Sequence, residues 1–155
     1  MIPKIIHQIG NDLPTSWKEQ NPSCAYILWT EQKLKNWRFH TKKPDRYRYE
    51  ILFHMGGVFV DNIPCQHPLK DNLFQYECAT LANSSIVAAQ PRCELIWKCV
   101  EEGLRPIQAA QIYKLPIKIF SEIAGPPVTV CRRLGILCHF RYKMKPSATQ
   151  LVRSR

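Results

Sequence analysis

Two carboxylates and a guanidinium mark the stretch Asp45-Arg46-Tyr47-Arg48-Tyr49-Glu50-Ile51-Leu52-Phe53-His54-Met55-Gly56-Gly57-Val58-Phe59-Val60-Asp61. Asp45 and Arg48 stand three residues apart, a spacing at which two side chains on a helix are neighbours. Asp61 ends the stretch after a short apolar run. An acid, an arginine and a second acid brought together have the chemistry to hold sugar hydroxyls, a diphosphate and a divalent cation. The same residues also read as an Asp–Arg surface pair and an acid that closes a strand.

The elements around them decide what they can reach. Tyr47, Ile51, Leu52 and Met55 fall at i, i+4, i+5 and i+8, which predicts a helix with one apolar face, and Pro44 suits its start. Gly56 and Gly57 stop it, because glycine tolerates the left-handed conformation that closes a last turn. Val58-Phe59-Val60 then has the pattern of a strand buried on both faces. Asp61 is thus placed at the C-terminal end of a strand, the edge at which open α/β sheets bind ligands. Asp45 and Arg48 would project toward that same edge.

The chain of 155 residues, 45% of them hydrophobic, is expected to form a single domain. Its start, Met1-Ile2-Pro3-Lys4-Ile5-Ile6-His7, lacks the apolar run of a signal peptide, and no window approaches the roughly eighteen apolar residues of a membrane span. Seven cysteines are an odd number without a Cys-x-x-Cys pair, so they read as reduced thiols and imply a cytoplasmic setting. The formal charge is +10, and Arg132, Arg133, Arg141, Lys143, Lys145, Arg153 and Arg155 follow Glu122 with no acid among them. Such a tail seeks anions: a nucleotide diphosphate, an anionic membrane surface or nucleic acid. It also reads as a solvated terminus without a partner.

Along the chain, Lys4 to Ile9 predicts a strand, Thr15 or Ser16 the cap of a short helix carrying Trp17, and Ala25 to Trp29 a second buried strand. Thr30 and Glu31 begin a helix through Trp37, and Arg38 to Lys43 is a basic connector. After Asp61, two prolines make residues 62 to 68 a loop. Ala79 to Ala82 and Ile86 to Ala89 read as strands. Pro91 is expected at the first position of a helix that carries Leu95, Ile96, Cys99 and Val100 and ends at Gly103. A shorter helix is expected from Arg105 to Leu115 around Ile107, Ala110 and Ile112. Residues 117 to 124 give no clear signal. Gly125-Pro126-Pro127 is a break, 128 to 134 a helix and 135 to 140 a last strand. Strands alternating with helices predict an α/β domain with a mostly parallel sheet.

Glycine-rich phosphate loops, nucleophile elbows and Cys- or His-based zinc spacings are absent. His7, inside an apolar strand, reads as a hydrogen-bonded core histidine and His54 as a helix-surface residue. Trp17, Trp29 and Trp97 read as core, and Cys65 and His67 as loop residues. Asn83, between two strands, either reaches the ligand edge or closes its own turn.

The pattern Asp45-x-x-Arg48-Tyr49-x-x-Leu52 followed by Gly56-Gly57-Val58-Phe59-Val60-Asp61 resembles the sugar-binding segment of the DXD-containing glycosyltransferases. That family includes fungal Golgi mannosyltransferases and bacterial toxin glucosyltransferases. Ile2-Pro3-Lys4-Ile5-Ile6-His7-Gln8-Ile9 is similar to its opening strand, and Ser16-Trp17-Lys18-Glu19-Gln20-Asn21-Pro22 with Tyr26-Ile27-Leu28-Trp29 to its second element. Pro68-Leu69 and Gly125-Pro126 extend the resemblance, which spans residues 2 to about 130. It implies a GT-A-like Rossmann-type sandwich over residues 1–145, shortened at its C-terminal side, followed by a basic tail over 146–155.

The resemblance further implies transfer of a hexose from a UDP- or GDP-sugar, with retention, to a hydroxyl of a glycan, lipid or protein acceptor. Asp45 and Arg48 would hold sugar hydroxyls, with Asn62 and Asn83 as further substrate-binding candidates. Asp61 would be the catalytic carboxylate and the ligand of Mn²⁺ or Mg²⁺, whose role would be to neutralise the departing diphosphate. Basic residues of the tail would share that charge. An anionic membrane surface is a further expected partner. Nucleic acid is not expected, since only net charge favours it.

Three positions depart from the family pattern. Asp61-Asn62 is followed by Ile63-Pro64 where a second carboxylate is expected, Gly10 stands where the opening strand usually ends in tryptophan, and nothing after Lys145 resembles the segment that closes over the donor. The same resemblance therefore also fits a catalytically impaired relative that binds a nucleotide sugar or serves as an interaction module.

Overall fold

A computed structural model of the protein describes residues 1–11 and 16–120 and the strand Leu137–Cys138. In chain order its elements are β1 (Ile5–Ile9), α1 (Ser16–Gln20), β2 (Ala25–Trp29), α2 (Glu31–Asn36), a 3₁₀ turn (Pro44–Arg46), α3 (Tyr47–Met55), β3 (Gly57–Val60), a second 3₁₀ turn (Asp71–Gln75), β4 (Cys78–Leu81), β5 (Ile86–Ala89), α4 (Glu94–Glu102), α5 (Pro106–Tyr113), β6 (Lys118–Phe120) and β7 (Leu137–Cys138). The strands form one sheet in the order β2-β1-β3-β5-β4-β6-β7. β5 runs antiparallel to both its neighbours, and the other pairs are parallel. The expected α/β sandwich with a mostly parallel sheet is therefore the observed fold. The chain leaves β1 to one side for β2 and returns to its other side for β3, so the strand order reverses at β1. In α/β sheets the crevice at such a reversal is the usual ligand site.

Alternation along the strands splits the core between the two faces of the sheet. Phe59, Val87 and Ala89 join Ile51, Leu52, Leu95, Ile96 and Ala110 beneath α3, α4 and α5. Val58, Val60, Ile86 and Ala88 join Ile6, Trp17, Leu73 and Phe74 on the opposite face. β3 is buried at every position, as its apolar run predicts. Its first residue, Gly57, has φ of +113°, and a Cβ there would lie 2.5 Å from the Ile5 carbonyl oxygen and 2.9 Å from His7 Nε2. Glycine thus lets β3 lie tight against β1.

Several local expectations are corrected. β2 is a partly exposed edge strand and not a buried one. Asp45 lies in the 3₁₀ turn and not on the α-helix that carries Arg48, and the buried residues of α3 are Tyr49, Glu50, Ile51 and Leu52. Pro91 does not open α4. Arg92 follows it at φ +63° and donates its backbone N–H to Phe53, and the helix begins at Glu94. Pro91 instead packs against Gly56, where a Cβ would meet its ring at 2.6 Å. Ile112 of α5 is 61% exposed, and Trp97 is only half-buried, packed on Phe53 and His40. β6, which the sequence did not signal, contains the buried Lys118, whose ammonium lies over the Tyr76 ring at 4.5 Å. The expected helix over 128–134, the break at 125–127 and the tail over 146–155 lie outside the described residues. No helix among those described is long and apolar enough to cross a membrane.

His7 is the core histidine its setting predicts. It is fully buried, accepts from the Trp29 indole at Nδ1 (3.1 Å) and donates from Nε2 to the Gly56 carbonyl (2.8 Å). This pair of bonds requires the neutral Nε2–H tautomer. Burial lowers its pKa to about 4, against the weaker upward influence of the Gly56 bond. Because the unfolded chain takes up this proton near pH 6.5 and the folded chain only near 4, the site favours folding fully above about pH 6.5 and loses that contribution as pH falls toward 4. Nitrogen NMR of the imidazole is expected to show an unprotonated Nδ1 at pH 5.5. A protonated ring at that pH would contradict this arrangement.

Candidate donor-binding cleft

Asp45, Arg48, Asp61 and Asn62 come together with Ile9, Pro44, Phe59 and Val60 around a cleft of about 390 Å³. It sits at the C-terminal ends of β1 and β3, at the reversal point of the sheet. Its size falls in the roughly 300–1,000 Å³ range of small-molecule sites. A larger cleft of about 620 Å³ lies at the start of β2, lined by Lys18, Glu19, Pro22, Cys24, Ala25 and Tyr26. That end of the sheet is where β1 and β2 begin, opposite the edge that carries the Asp–Arg group.

Asp61 is held by its backbone. Its N–H donates to Ser85 in the β4–β5 turn (2.9 Å), and its carbonyl accepts from Gln8 Nε2 (3.1 Å), an amide fixed in turn by Tyr26 Oη (2.6 Å). The side chain is thereby left for the cleft. Oδ1 accepts from Arg48 Nη1 at 3.2 Å, with 43% of the Asp61 side chain and 27% of the Arg48 side chain exposed. Burial raises the Asp61 pKa, and the Arg48 charge and hydrogen bond act against that rise. Arg48 also donates from Nη2 to Tyr49 Oη (2.9 Å) and lies over the Tyr49 ring at 4.8 Å. Its Nε–H is buried and finds no acceptor among the described residues. A buried donor left unpaired costs about 1–3 kcal/mol. Asp45 is exposed at the mouth, and its carboxylate has no partner among the described residues.

Asn83 is the candidate that the structure does not bring to the cleft. Its Oδ1 accepts from the backbone N–H and the hydroxyl of Ser85 (3.0 and 2.8 Å), so the side chain closes its own turn. Its contribution is indirect, because that turn supplies the carbonyl that holds Asp61. Asn62 lines the cleft and is exposed. Ile9 lines the cleft, and Gln8 and Tyr49 brace Asp61 and Arg48, although none of the three was a candidate site residue. Tyr49 stands in the pattern that carries the family resemblance, and Gln8 is an amide in the apolar run of β1.

The residues present do not make a cation site by themselves. Asp61 is a single carboxylate already paired with Arg48, Ile63 occupies the place of a second and is 39% exposed, and its carbonyl is tied to the Trp17 indole (2.7 Å). Among the described residues no group of three or more His, Cys, Asp or Glu side chains gathers to hold a metal. Ile63→Asp supplies the missing carboxylate on an exposed loop, where substitutions usually change stability by less than about 0.5 kcal/mol. The variant is expected to show Mn²⁺-induced broadening of the Asp61 amide resonance. Equal broadening in the parent chain would show that Asp61 binds the ion without it.

No family model matches the chain, and no solved structure matches it at a significant level. Among characterised proteins, it is 34% identical to a mannosyl phosphorylinositol ceramide synthase of Saccharomyces cerevisiae, over an alignment 85 residues long that takes in 39% of this chain and 22% of the relative. It is 32% identical to inositol phosphoceramide mannosyltransferase 1 of Schizosaccharomyces pombe, with 44% of this chain and 30% of the relative covered. Inositol phosphoceramide mannosyltransferase 2 of the same yeast is likewise 32% identical, with 49% and 29% covered. The match thus spans between a fifth and a third of the length of these relatives. All three are proteins that attach mannose.

Proposed function

We propose that this chain is a glycosyltransferase domain that transfers a hexose, mannose by the analogy of its relatives, from a nucleotide sugar to a hydroxyl of a phosphate-bearing lipid acceptor. The convergence of Asp45, Arg48 and Asp61 on one cleft at the reversal point of the sheet carries this reading. Asp45 and the free oxygen of Asp61 accept from sugar or ribose hydroxyls. The Arg48 guanidinium, on a partly exposed side chain that lines the cleft, suits a phosphate or hydroxyl oxygen. In the transfer, the bond from the anomeric carbon to the diphosphate oxygen breaks and a bond to the acceptor oxygen forms. The acceptor's proton ends on the departing diphosphate, and the configuration is retained. Arg48, fixed by Asp61 and Tyr49 before the donor arrives, is the group placed to stabilise the charge of the leaving diphosphate.

Screening GDP- and UDP-hexoses for release of nucleoside diphosphate, with and without Mn²⁺, tests the proposal. The expected result is release from one donor class, with GDP-mannose the first to examine. No release from any donor under either condition would refute transfer. Binding without release would favour the second reading, a sugar-nucleotide-binding relative that has lost catalysis, for which the apolar Ile63 in place of a carboxylate is the specific observation.

A further inference from the structure

The connector between α2 and the cleft has more structure than a linker requires. Its backbone is pinned from below by a buried carboxyl: Glu50, 1% exposed, accepts from the backbone N–H groups of His40 and Thr41 (3.0 Å to Thr41). Thr41 Oγ1 in turn accepts from Lys43 N–H at 3.2 Å. Two aromatic contacts fix it laterally. Phe39 stacks on Tyr47 with ring centroids 3.8 Å apart, and Trp37 meets Trp29 edge-on at 5.1 Å. On this fixed loop Arg38, Lys42 and Lys43 are exposed, and none has an ion-pair partner among the described residues. Lys43 directly precedes Pro44 and Asp45, which line the cleft. Three exposed cations within six residues of a loop held in place give it a local positive charge, which favours an anionic partner.

We infer that the segment from Arg38 to Lys43 docks the protein onto an anionic lipid bilayer and so brings the mouth of the donor cleft to the membrane surface. The inference rests on the lipid-acceptor reading above. Bilayer recognition needs fixed cations near the surface and little shape complementarity, which this loop supplies. Single-stranded nucleic acid needs exposed rings on which bases can stack. Trp37 and Phe39 are half-buried and already engaged with Trp29 and Tyr47, which argues against that partner.

Co-sedimentation of the full chain with phosphatidylcholine vesicles, with and without phosphatidylinositol, tests the inference. Binding is expected only to the anionic vesicles and should weaken as salt rises. A variant carrying Arg38→Ala, Lys42→Ala and Lys43→Ala is expected to lose about 100-fold in vesicle affinity, since each cation near such a surface contributes roughly fivefold. Its thermal unfolding and its release of nucleoside diphosphate in the absence of vesicles should be unchanged, because these side chains lie outside the cleft. A parallel variant with Arg141→Ala, Lys143→Ala and Lys145→Ala is expected to lose less. Unchanged vesicle affinity in the loop variant overturns the docking surface, as does tighter binding of the parent chain to a single-stranded oligonucleotide than to anionic vesicles. Donor release is measured without lipid and vesicle binding without donor, so failure of the transferase reading and failure of the docking surface are separate results.

Discussion

Replacing Asp61 by asparagine is expected to lower donor turnover by about 10²–10³-fold, the usual loss when one fixed charged or polar group is withdrawn from a reaction centre. The change removes a charge while keeping shape, and it breaks the 3.2 Å pair with Arg48. Folding should scarcely register it, because a pair this exposed contributes at most about 1 kcal/mol. Asp61 is anchored through its backbone to Ser85 and Gln8, and both anchors survive the substitution. Steady-state rates beside urea unfolding curves check both halves of the expectation. A variant that loses stability and activity together would assign Asp61 to the scaffold.

The acid limb of the rate profile offers a companion test. Burial raises the Asp61 pKa, and Arg48 holds that rise in check. In Arg48→Met the restraint is gone, so the carboxylate takes up its proton at higher pH. The acid limb should move toward neutrality in that variant.

Gly57→Ala is expected to destabilise the fold by roughly 3–5 kcal/mol, from a forbidden backbone region together with overpacking. At φ +113° a side chain is strained wherever there is room, and here there is none. The added Cβ would sit 2.5 Å from the Ile5 carbonyl and 2.9 Å from His7 Nε2. Relief requires β3 to move away from β1, which breaks the Ile6–Val58 and His7–Phe59 register and the His7–Gly56 bond. Asp61 rides on β3, so soluble protein recovered from this variant should also show weakened donor binding. Denaturant unfolding measures the first effect. A loss below about 1 kcal/mol would mean that the two strands are not held so closely.

Much of this arrangement was legible in the chain. Val58-Phe59-Val60 has the composition of a doubly buried strand, the paired glycines end the preceding helix, and a carboxylate at the strand's end follows from both. Asp45, Arg48 and Asp61 could therefore be directed to one sheet edge from residue types and spacing, and the family resemblance added Asn62. What escaped depended on partners distant in sequence. Whether Asn83 faces the cleft or its own turn is settled by two short bonds to Ser85. Pro91 carries a helix-start signal, but its ring is needed against Gly56, and the turn at Arg92 delays the helix. Glu50 interrupts an apolar helical run and would ordinarily be assigned to solvent. It is buried because two loop N–H groups require an acceptor there. β6 gives almost no local signal, since it carries a lysine that is nonetheless buried, with its ammonium over the Tyr76 ring.

Titration of the isotopically labelled chain with GDP-mannose or a UDP-hexose, followed by backbone amide shifts, tests the central claim most directly. Donor binding at the reversal point of the sheet predicts saturable shifts at Asp45, Arg48, Asp61 and Asn62, reduced in Arg48→Met. Shifts confined to Lys18, Glu19, Cys24 and Tyr26 around the other cleft, or none at millimolar donor, would contradict it.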